Sequence, residues 1–86
     1  MPFELRYHPD LKTADIPLFD ARLQTRIKNA IESRLITAPH LYGEPLRKTL
    51  RGYWKLRGWD YRVVFKIVAE EVWILGIIHE KRFMRQ

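Results

Sequence analysis

The chain has 86 residues, of which 16 are Lys or Arg and 10 are Asp or Glu, so its formal net charge is +6. This length predicts a single domain over residues 1–86, and a hydrophobic content of 47% excludes a disordered tail. With no cysteine and three histidines, the chain excludes disulfides, and we expect no metal or other cofactor. The sequence shows neither a signal-peptide pattern nor an apolar run long enough for a membrane span, so we expect a cytoplasmic protein without a membrane partner.

The first half of the chain predicts a strand, a helix and a loop. Phe3–Tyr7 alternates apolar and polar residues, which is typical of a half-buried strand. A long amphipathic helix follows and ends near Pro39, and His40–Pro45 predicts a loop because it contains glycine and proline. The apolar face of the helix recurs every four residues, at Phe19, Leu23, Ile27, Ile31 and Leu35.

The second half predicts three strands, at Leu50–Arg57, Tyr61–Val68 and Val72–His79. The last of them is almost wholly apolar, which favours a position inside the sheet. We therefore predict an α+β fold, with a small, antiparallel-rich sheet of about four strands and N-terminal helices packed on one face.

The net positive charge arises wholly from residues 47–86, which hold ten basic and four acidic residues, whereas the charges of residues 1–46 balance. Such a segment attracts phosphate or an acidic protein, although a merely solvated basic surface is the alternative. Strand alternation places the cations together with a tyrosine on one sheet face, which suits single-stranded nucleic acid. The residues predicted on this face are Arg51, Tyr53, Lys55, Arg57, Arg62 and Lys66.

Three runs of sequence resemble the RelE/ParE superfamily of bacterial toxin–antitoxin toxins. They are Gly-Glu-Pro-Leu at 43–46, Gly-Tyr-Trp-Lys-Leu-Arg at 52–57 and Asp-Tyr-Arg-Val-Val-Phe at 60–65. The resemblance covers nearly the whole chain and implies a compact sheet with helices on one side and RNA on the basic side. RelE-type members cleave mRNA in the ribosomal A site, using the 2′-hydroxyl of the RNA as nucleophile without a metal.

The resemblance also implies roles for individual residues. Arg62 matches the arginine that contacts the scissile phosphate, while Lys55 and Arg57 match positions where RelE-like toxins place a lysine base and a phosphate-binding arginine. Glu44 matches the general base of YoeB-like members, with an ordinary loop carboxylate as the alternative. Further RNA contacts are expected from Arg47, Lys48, Arg51, Tyr53, Lys66 and Arg82.

The C-terminal segment departs from the pattern of the superfamily, because Met84 stands near the position of an expected tyrosine. The proton donor is therefore left between His79 and Lys81, and His79 is the natural donor near neutral pH. The alternative for His79 is a strand-end residue that is hydrogen-bonded to backbone.

Three functions are consistent with this sequence. The first is an endoribonuclease, an mRNA interferase that acts on the ribosome and inhibits translation. The second is a ParE-like, non-enzymatic inhibitor of DNA gyrase, and the third is a degenerate member that only binds an antitoxin. For all three, the resemblance implies a cognate neutralising antitoxin. Because the chain shows no helix-turn-helix pattern, we expect no specific DNA binding without that antitoxin.

Overall fold

A computed structural model describes residues 3–12, 16–47 and 52–79 of the chain. In these ranges, no helix combines the length and the apolar character needed to cross a membrane. The elements in chain order are β1 (Glu4–Tyr7), a 3₁₀ turn (Ile16–Leu18), α1 (Ala21–Ala30), a π-helical segment (Ile31–Leu35), α2 (Pro39–Tyr42), β2 (Glu44–Pro45), β3 (Tyr53–Arg57), β4 (Tyr61–Val68) and β5 (Glu71–His79).

The predicted amphipathic helix consists of α1 and the π-helical segment that continues it. Asp20 caps α1, since its side chain accepts a hydrogen bond of 2.8 Å from the Leu23 N–H. Apolar residues spaced by four drift about 40° per step around an α-helix, and the wider π-helical turn reduces that drift. The predicted face is confirmed for Leu23, Ile27, Ile31 and Leu35, which are buried on the helix. Phe19 is also buried, but it precedes the cap residue Asp20 and so lies outside the helix.

The strands form one mixed sheet in the order β1-β5-β4-β3-β2. β1 runs parallel to β5, and every other neighbouring pair is antiparallel. β5 therefore lies inside the sheet, as its apolar run predicted. The sheet has five strands where the sequence predicted about four, because the two-residue β2 adds an edge strand.

The segment predicted as a loop, His40–Pro45, is regular over most of its length, so that prediction was wrong. Pro39 opens α2, and the Gly43 N–H closes it with a 3.0 Å hydrogen bond to the Pro39 carbonyl. Glu44 and Pro45 then pair with β3. Proline is compatible with both positions, because the first turn of a helix and an edge strand do not require its N–H.

β5 contains a bulge that decides which of its side chains face the helices. Ile74 and Gly76 pair with adjacent residues of β4, so Leu75 is an extra residue between them. Beyond the bulge, the alternation of β5 is inverted. Ile77 consequently enters the core, and His79 points to the helix side of the sheet rather than the opposite side.

The helices cover one face of the sheet, and the core lies between them. The sheet contributes Leu56, Tyr61, Val63, Phe65, Val72, Ile74 and Ile77 to this core. We call the opposite face of β3 and β4 the outer face. Its residues are Tyr53, Lys55, Arg57, Arg62, Val64 and Lys66.

Candidate nucleic-acid interface

The outer face brings four cations together in three cross-strand pairs. Directly opposed residues have Cβ atoms about 5 Å apart, and successive pairs on one face are separated by about 7 Å. The cations therefore form a strip only two strands wide, as the alternation predicted. The three pairs are Tyr53 with Lys66, Lys55 with Val64, and Arg57 with Arg62.

Arg57 and Arg62 form a cross-strand pair of like charges that does not stabilise the sheet. Like charges directly opposite each other destabilise an antiparallel pair, yet Arg57 and Arg62 are exact cross-strand partners. Arg57 is exposed and Arg62 is partly buried. Guanidinium groups bind phosphate oxygens in a fork geometry, so this pair suits a phosphate group.

β2 brings a carboxylate to the edge of the strip. Glu44 is the register partner of Lys55, and its Oε1 lies 3.8 Å from the Lys55 Nζ. The lysine side chain is 18% exposed and the glutamate side chain 60%, so the carboxylate is accessible while the lysine is held in place. Arg47 lines a shallow hollow with both residues.

The positive charge is concentrated at β3 and β4 rather than across the whole sheet. At the β1 side, the Arg6 Nη2 lies 3.2 Å from the Glu4 Oε1 and 3.3 Å from the Glu71 Oε2, so the charge of Arg6 is compensated. In the strip, the Lys66 Nζ lies 5.7 Å from the centroid of the Tyr53 ring, a cation–π distance. The tyrosine thus helps to hold the lysine on the outer face.

The turn between β3 and β4, residues 58–60, adjoins the arginine pair. The Gly58 N–H donates to the Tyr61 carbonyl at 2.9 Å, and the Asp60 Oδ1 lies 3.9 Å from the Arg26 Nη1 of α1. Trp59 projects from this turn with 75% of its surface exposed. Sequence reasoning assigned Trp59 no role, although a large aromatic in a turn, where small or polar residues prevail, was a usable signal.

His79 is not brought to the strip. It is the register partner of Tyr61, on the helix side, and its ring centroid lies 5.4 Å from that of Phe19. The inversion at the Leu75 bulge separates it from Arg62, which lies on the other face. The role of His79 as proton donor stays a prediction, and His79 does not lie on the same face of the sheet as Arg62.

The remaining predicted site residues divide into two groups. Tyr53, Lys66 and Arg47 lie on or beside the strip. Lys48, Arg51, Lys81 and Arg82 lie outside the described residues. In the part of the chain that the structure describes, no three His, Cys, Asp or Glu residues cluster in a way that could hold a metal ion.

A separate concavity lies on the helix side, between α1 and the segment that follows β1. It is an apolar groove of about 400 Å³ with Lys12, Lys28 and Glu32 at polar positions of its wall. None of the outer-face residues lines it. Its apolar walls include Tyr7, Leu11, Phe19, Ile27, Ile31 and Ile77.

Solved structures share this fold at low sequence identity. The toxin–antitoxin complex RelBE2 from Mycobacterium tuberculosis contains a chain with a TM-score of 0.87 and 24% identity, matched over 93% of this chain and 100% of that one. The isolated Escherichia coli RelE toxin gives a TM-score of 0.71 at 14% identity, over 95% and 88% of the two chains. The YoeB–YefM complex from Staphylococcus aureus gives 0.67 at 18% identity, over 94% and 100%.

Comparison at the level of sequence gives the family. No curated protein sequence matches the chain. The family model described as the ParE toxin of type II toxin–antitoxin system, parDE, matches residues 6–83, which is nearly the whole chain. The chain therefore belongs to the ParE toxin family of type II toxin–antitoxin systems, within the RelE/ParE superfamily whose fold it shares.

Proposed function

We propose that this toxin is an mRNA endonuclease that acts on the ribosome and inhibits translation, with the outer face as its RNA-binding surface. The observation that supports this most is the strip of fixed cations beside the accessible carboxylate of Glu44. Attack of a 2′-hydroxyl on the adjacent phosphorus builds negative charge on a five-coordinate phosphate, which fixed cations stabilise. The reaction also needs an acceptor for the hydroxyl proton and a donor for the leaving oxygen.

The proposed roles of Arg57, Arg62 and Glu44 follow from the positions of their side chains. The role of Lys81, which lies outside the described residues, follows only from the resemblance to RelE-like toxins. Arg57 and Arg62 hold the phosphate oxygens, and Glu44 accepts the proton of the 2′-hydroxyl next to the ammonium group of Lys55, 3.8 Å away. As the bond from phosphorus to the 2′-oxygen forms, the bond to the 5′-oxygen breaks. The products are a 2′,3′-cyclic phosphate and a 5′-hydroxyl end, and Lys81 is the proposed donor of the proton that the 5′-oxygen takes up.

A cognate antitoxin is the proposed neutralising partner. The RelBE2 and YoeB–YefM structures are complexes of toxin with antitoxin, and the family is defined by such systems. An acidic antitoxin segment matches the charge of the strip, and the apolar side of an amphipathic segment matches the groove beside α1. Co-expression with the protein encoded beside the toxin is expected to restore growth, and Tyr7→Glu in the groove is expected to weaken that rescue.

A ParE-like inhibitor of DNA gyrase is the second candidate function. The family model that matches is that of the ParE toxin, and His79, one of the two predicted proton donors, lies on the helix side of the sheet, away from the strip. For this candidate, the cationic strip binds gyrase or DNA, and no RNA is cleaved.

The deciding experiment compares Arg62→Ala with wild type during induced expression in bacteria. Arg22→Ala is the matched control, because Arg22 is an exposed arginine of α1 on the helix side. For an endonuclease, primer extension on an abundant message shows new 5′ ends within translated codons. Those ends should persist in Arg22→Ala and fall at least a hundredfold in Arg62→Ala.

The other outcomes of this experiment have distinct meanings. Growth arrest without new ends, together with inhibition of supercoiling by the purified protein, would replace the endonuclease with the gyrase inhibitor. If neither growth arrest nor cleavage occurred, the chain would be a member that only binds its antitoxin. Circular dichroism of each variant establishes that a lost activity does not reflect a lost fold.

A further inference from the structure

Trp59 in the β3–β4 turn exposes a large aromatic ring that takes no part in the proposed cleavage reaction. We infer that the Trp59 indole stacks on a nucleobase of single-stranded RNA while Arg57 and Arg62 hold the neighbouring phosphate. This inference rests on the proposed function and deepens it, because it adds a residue that binds a base rather than the RNA backbone. Base stacking on an aromatic ring is the usual way in which proteins hold unpaired nucleotides.

The turn holds Trp59 on a fixed support. Its ends are joined by the hydrogen bond between the Gly58 N–H and the Tyr61 carbonyl. Gly58 also packs so closely on the buried Tyr61 ring that a Cβ there would lie 2.2 Å from it. Asp60 ties the turn to α1 through Arg26. A rigid support lowers the entropy lost when a base stacks.

The charges around Trp59 suit the phosphate groups of RNA. Asp60 is the one acidic residue in the range 53–66. Its carboxylate lies against Arg26 of α1 and compensates the charge of that arginine. Arg57 and Arg62 are cross-strand partners, so an arginine stands at each end of the turn. An unpaired nucleotide offers both a π face, which the indole can stack on, and a phosphate, which the arginine pair can bind.

The test measures binding of the purified toxin to two short RNA strands at low salt. Both are ten-nucleotide 2′-O-methyl oligoadenylates, which cannot undergo 2′-hydroxyl attack, and one of them carries abasic sites in place of its central bases. Fluorescence anisotropy gives the affinity of wild type, Trp59→Ala, Trp59→Phe and Arg62→Ala for each strand. Leu41→Ala is the control, because Leu41 has a comparable exposure of 76% on α2.

Stacking predicts a specific pattern of affinities. Trp59→Ala should bind the complete strand about ten- to a hundredfold more weakly than wild type, but should bind the abasic strand within about twofold of wild type. Trp59→Phe should retain most of the affinity, and Leu41→Ala all of it. The salt dependence of log K should be unchanged in Trp59→Ala and shallower by about 0.7 in Arg62→Ala, which loses a phosphate contact.

The contrary outcomes separate this inference from the proposed function. If Trp59→Ala matched wild type on both strands while Arg62→Ala lost affinity, stacking would be overturned and the RNA face retained. If Arg62→Ala bound both strands as well as wild type, or wild type bound neither, the RNA face itself would be overturned. If Trp59→Ala bound RNA normally but no longer arrested growth, Trp59 would contact a protein and the inference would be wrong.

Discussion

At the scale of single residues, the contact between Glu44 and Lys55 is the most informative feature of the site. The carboxylate is more exposed than the ammonium group that lies 3.8 Å from it, so it can reach a bound hydroxyl. If Glu44 is the general base, Glu44→Gln should lower RNA cleavage by about a hundredfold to ten-thousandfold without loss of RNA binding. Cleavage is measured by primer extension, and binding by anisotropy with the 2′-O-methyl strand.

His79→Ala is the natural comparison for Glu44→Gln. Because His79 lies on the helix side beside Phe19, we expect its substitution to change cleavage by no more than about twofold. A large loss of cleavage in a folded His79→Ala variant would support the predicted role of His79 as proton donor. It would also imply that the substrate reaches around the end of β5.

Gly58 is a residue whose lack of a side chain the fold requires. A Cβ at this position would lie 2.2 Å from the ring of Tyr61, which is 3% exposed. Gly58→Ala should therefore lower the free energy of unfolding by about 1–3 kcal/mol, as measured by urea denaturation. At Gly52, by contrast, an added Cβ meets no atom within 4 Å but φ is +94°, so Gly52→Ala is destabilising through backbone strain.

A double variant identifies the cause at Gly58. In a Tyr61→Val background, the ring that the new Cβ would strike is absent, so Gly58→Ala should have a much smaller effect. An equal effect in both backgrounds would show that the backbone, and not the ring, demands glycine.

At the scale of elements, the start of α1 depends on one side chain. The Asp20 carboxylate accepts the Leu23 N–H at 2.8 Å, a donor that would otherwise have no partner within the helix. Asp20→Ala should lower the free energy of unfolding by about 1 kcal/mol, whereas Asp20→Asn should keep most of the capping effect. The urea midpoints of wild type and the two variants check this prediction. If Asp20→Ala had the same midpoint as wild type, the cap would not contribute to stability.

The elements also show which sequence signals were reliable. The spacing of Leu23, Ile27 and Ile31 identified the buried helix face, because residues four apart lie on the same side of a helix and these three are buried. The bulge at Leu75 could not be read in the same way, since an almost wholly apolar strand has no alternation to interrupt. For that reason the face on which His79 lies was not predictable.

At the scale of the whole molecule, the burial of the Tyr61 phenol in the core predicts that the stability of the fold depends on pH. Burial raises the pKa of the Tyr61 phenol; Arg34 and Arg26 oppose this rise and Asp60 reinforces it. The folded-state pKa thus lies above the unfolded value of about 10. The neutral phenol stabilises the fold fully below about pH 10, and this contribution is lost as the pH rises through the folded-state pKa.

The measurement compares urea midpoints at pH 8 and at pH 11 for wild type and Tyr61→Phe. Wild type should lose stability by up to about 1.4 kcal/mol per pH unit in the window between the two pKa values, and Tyr61→Phe should lose less. Tyr42→Phe should behave like wild type, because Tyr42 is an exposed tyrosine on α2. Parallel losses in wild type and Tyr61→Phe would show that the alkaline sensitivity arises elsewhere.

The fold class, the buried face of the helix, the three C-terminal strands and the common sheet face of Lys55, Arg57 and Arg62 could all be predicted from the sequence. These follow from periodicity, because alternation in a strand and spacing in a helix are local properties of the chain. The partner of Glu44, the face of His79 and the exposure of Trp59 became known only from the folded chain. Each of these depends on which strand lies beside which and on where a register slips, and pairing across the sheet is a property of residues far apart in sequence.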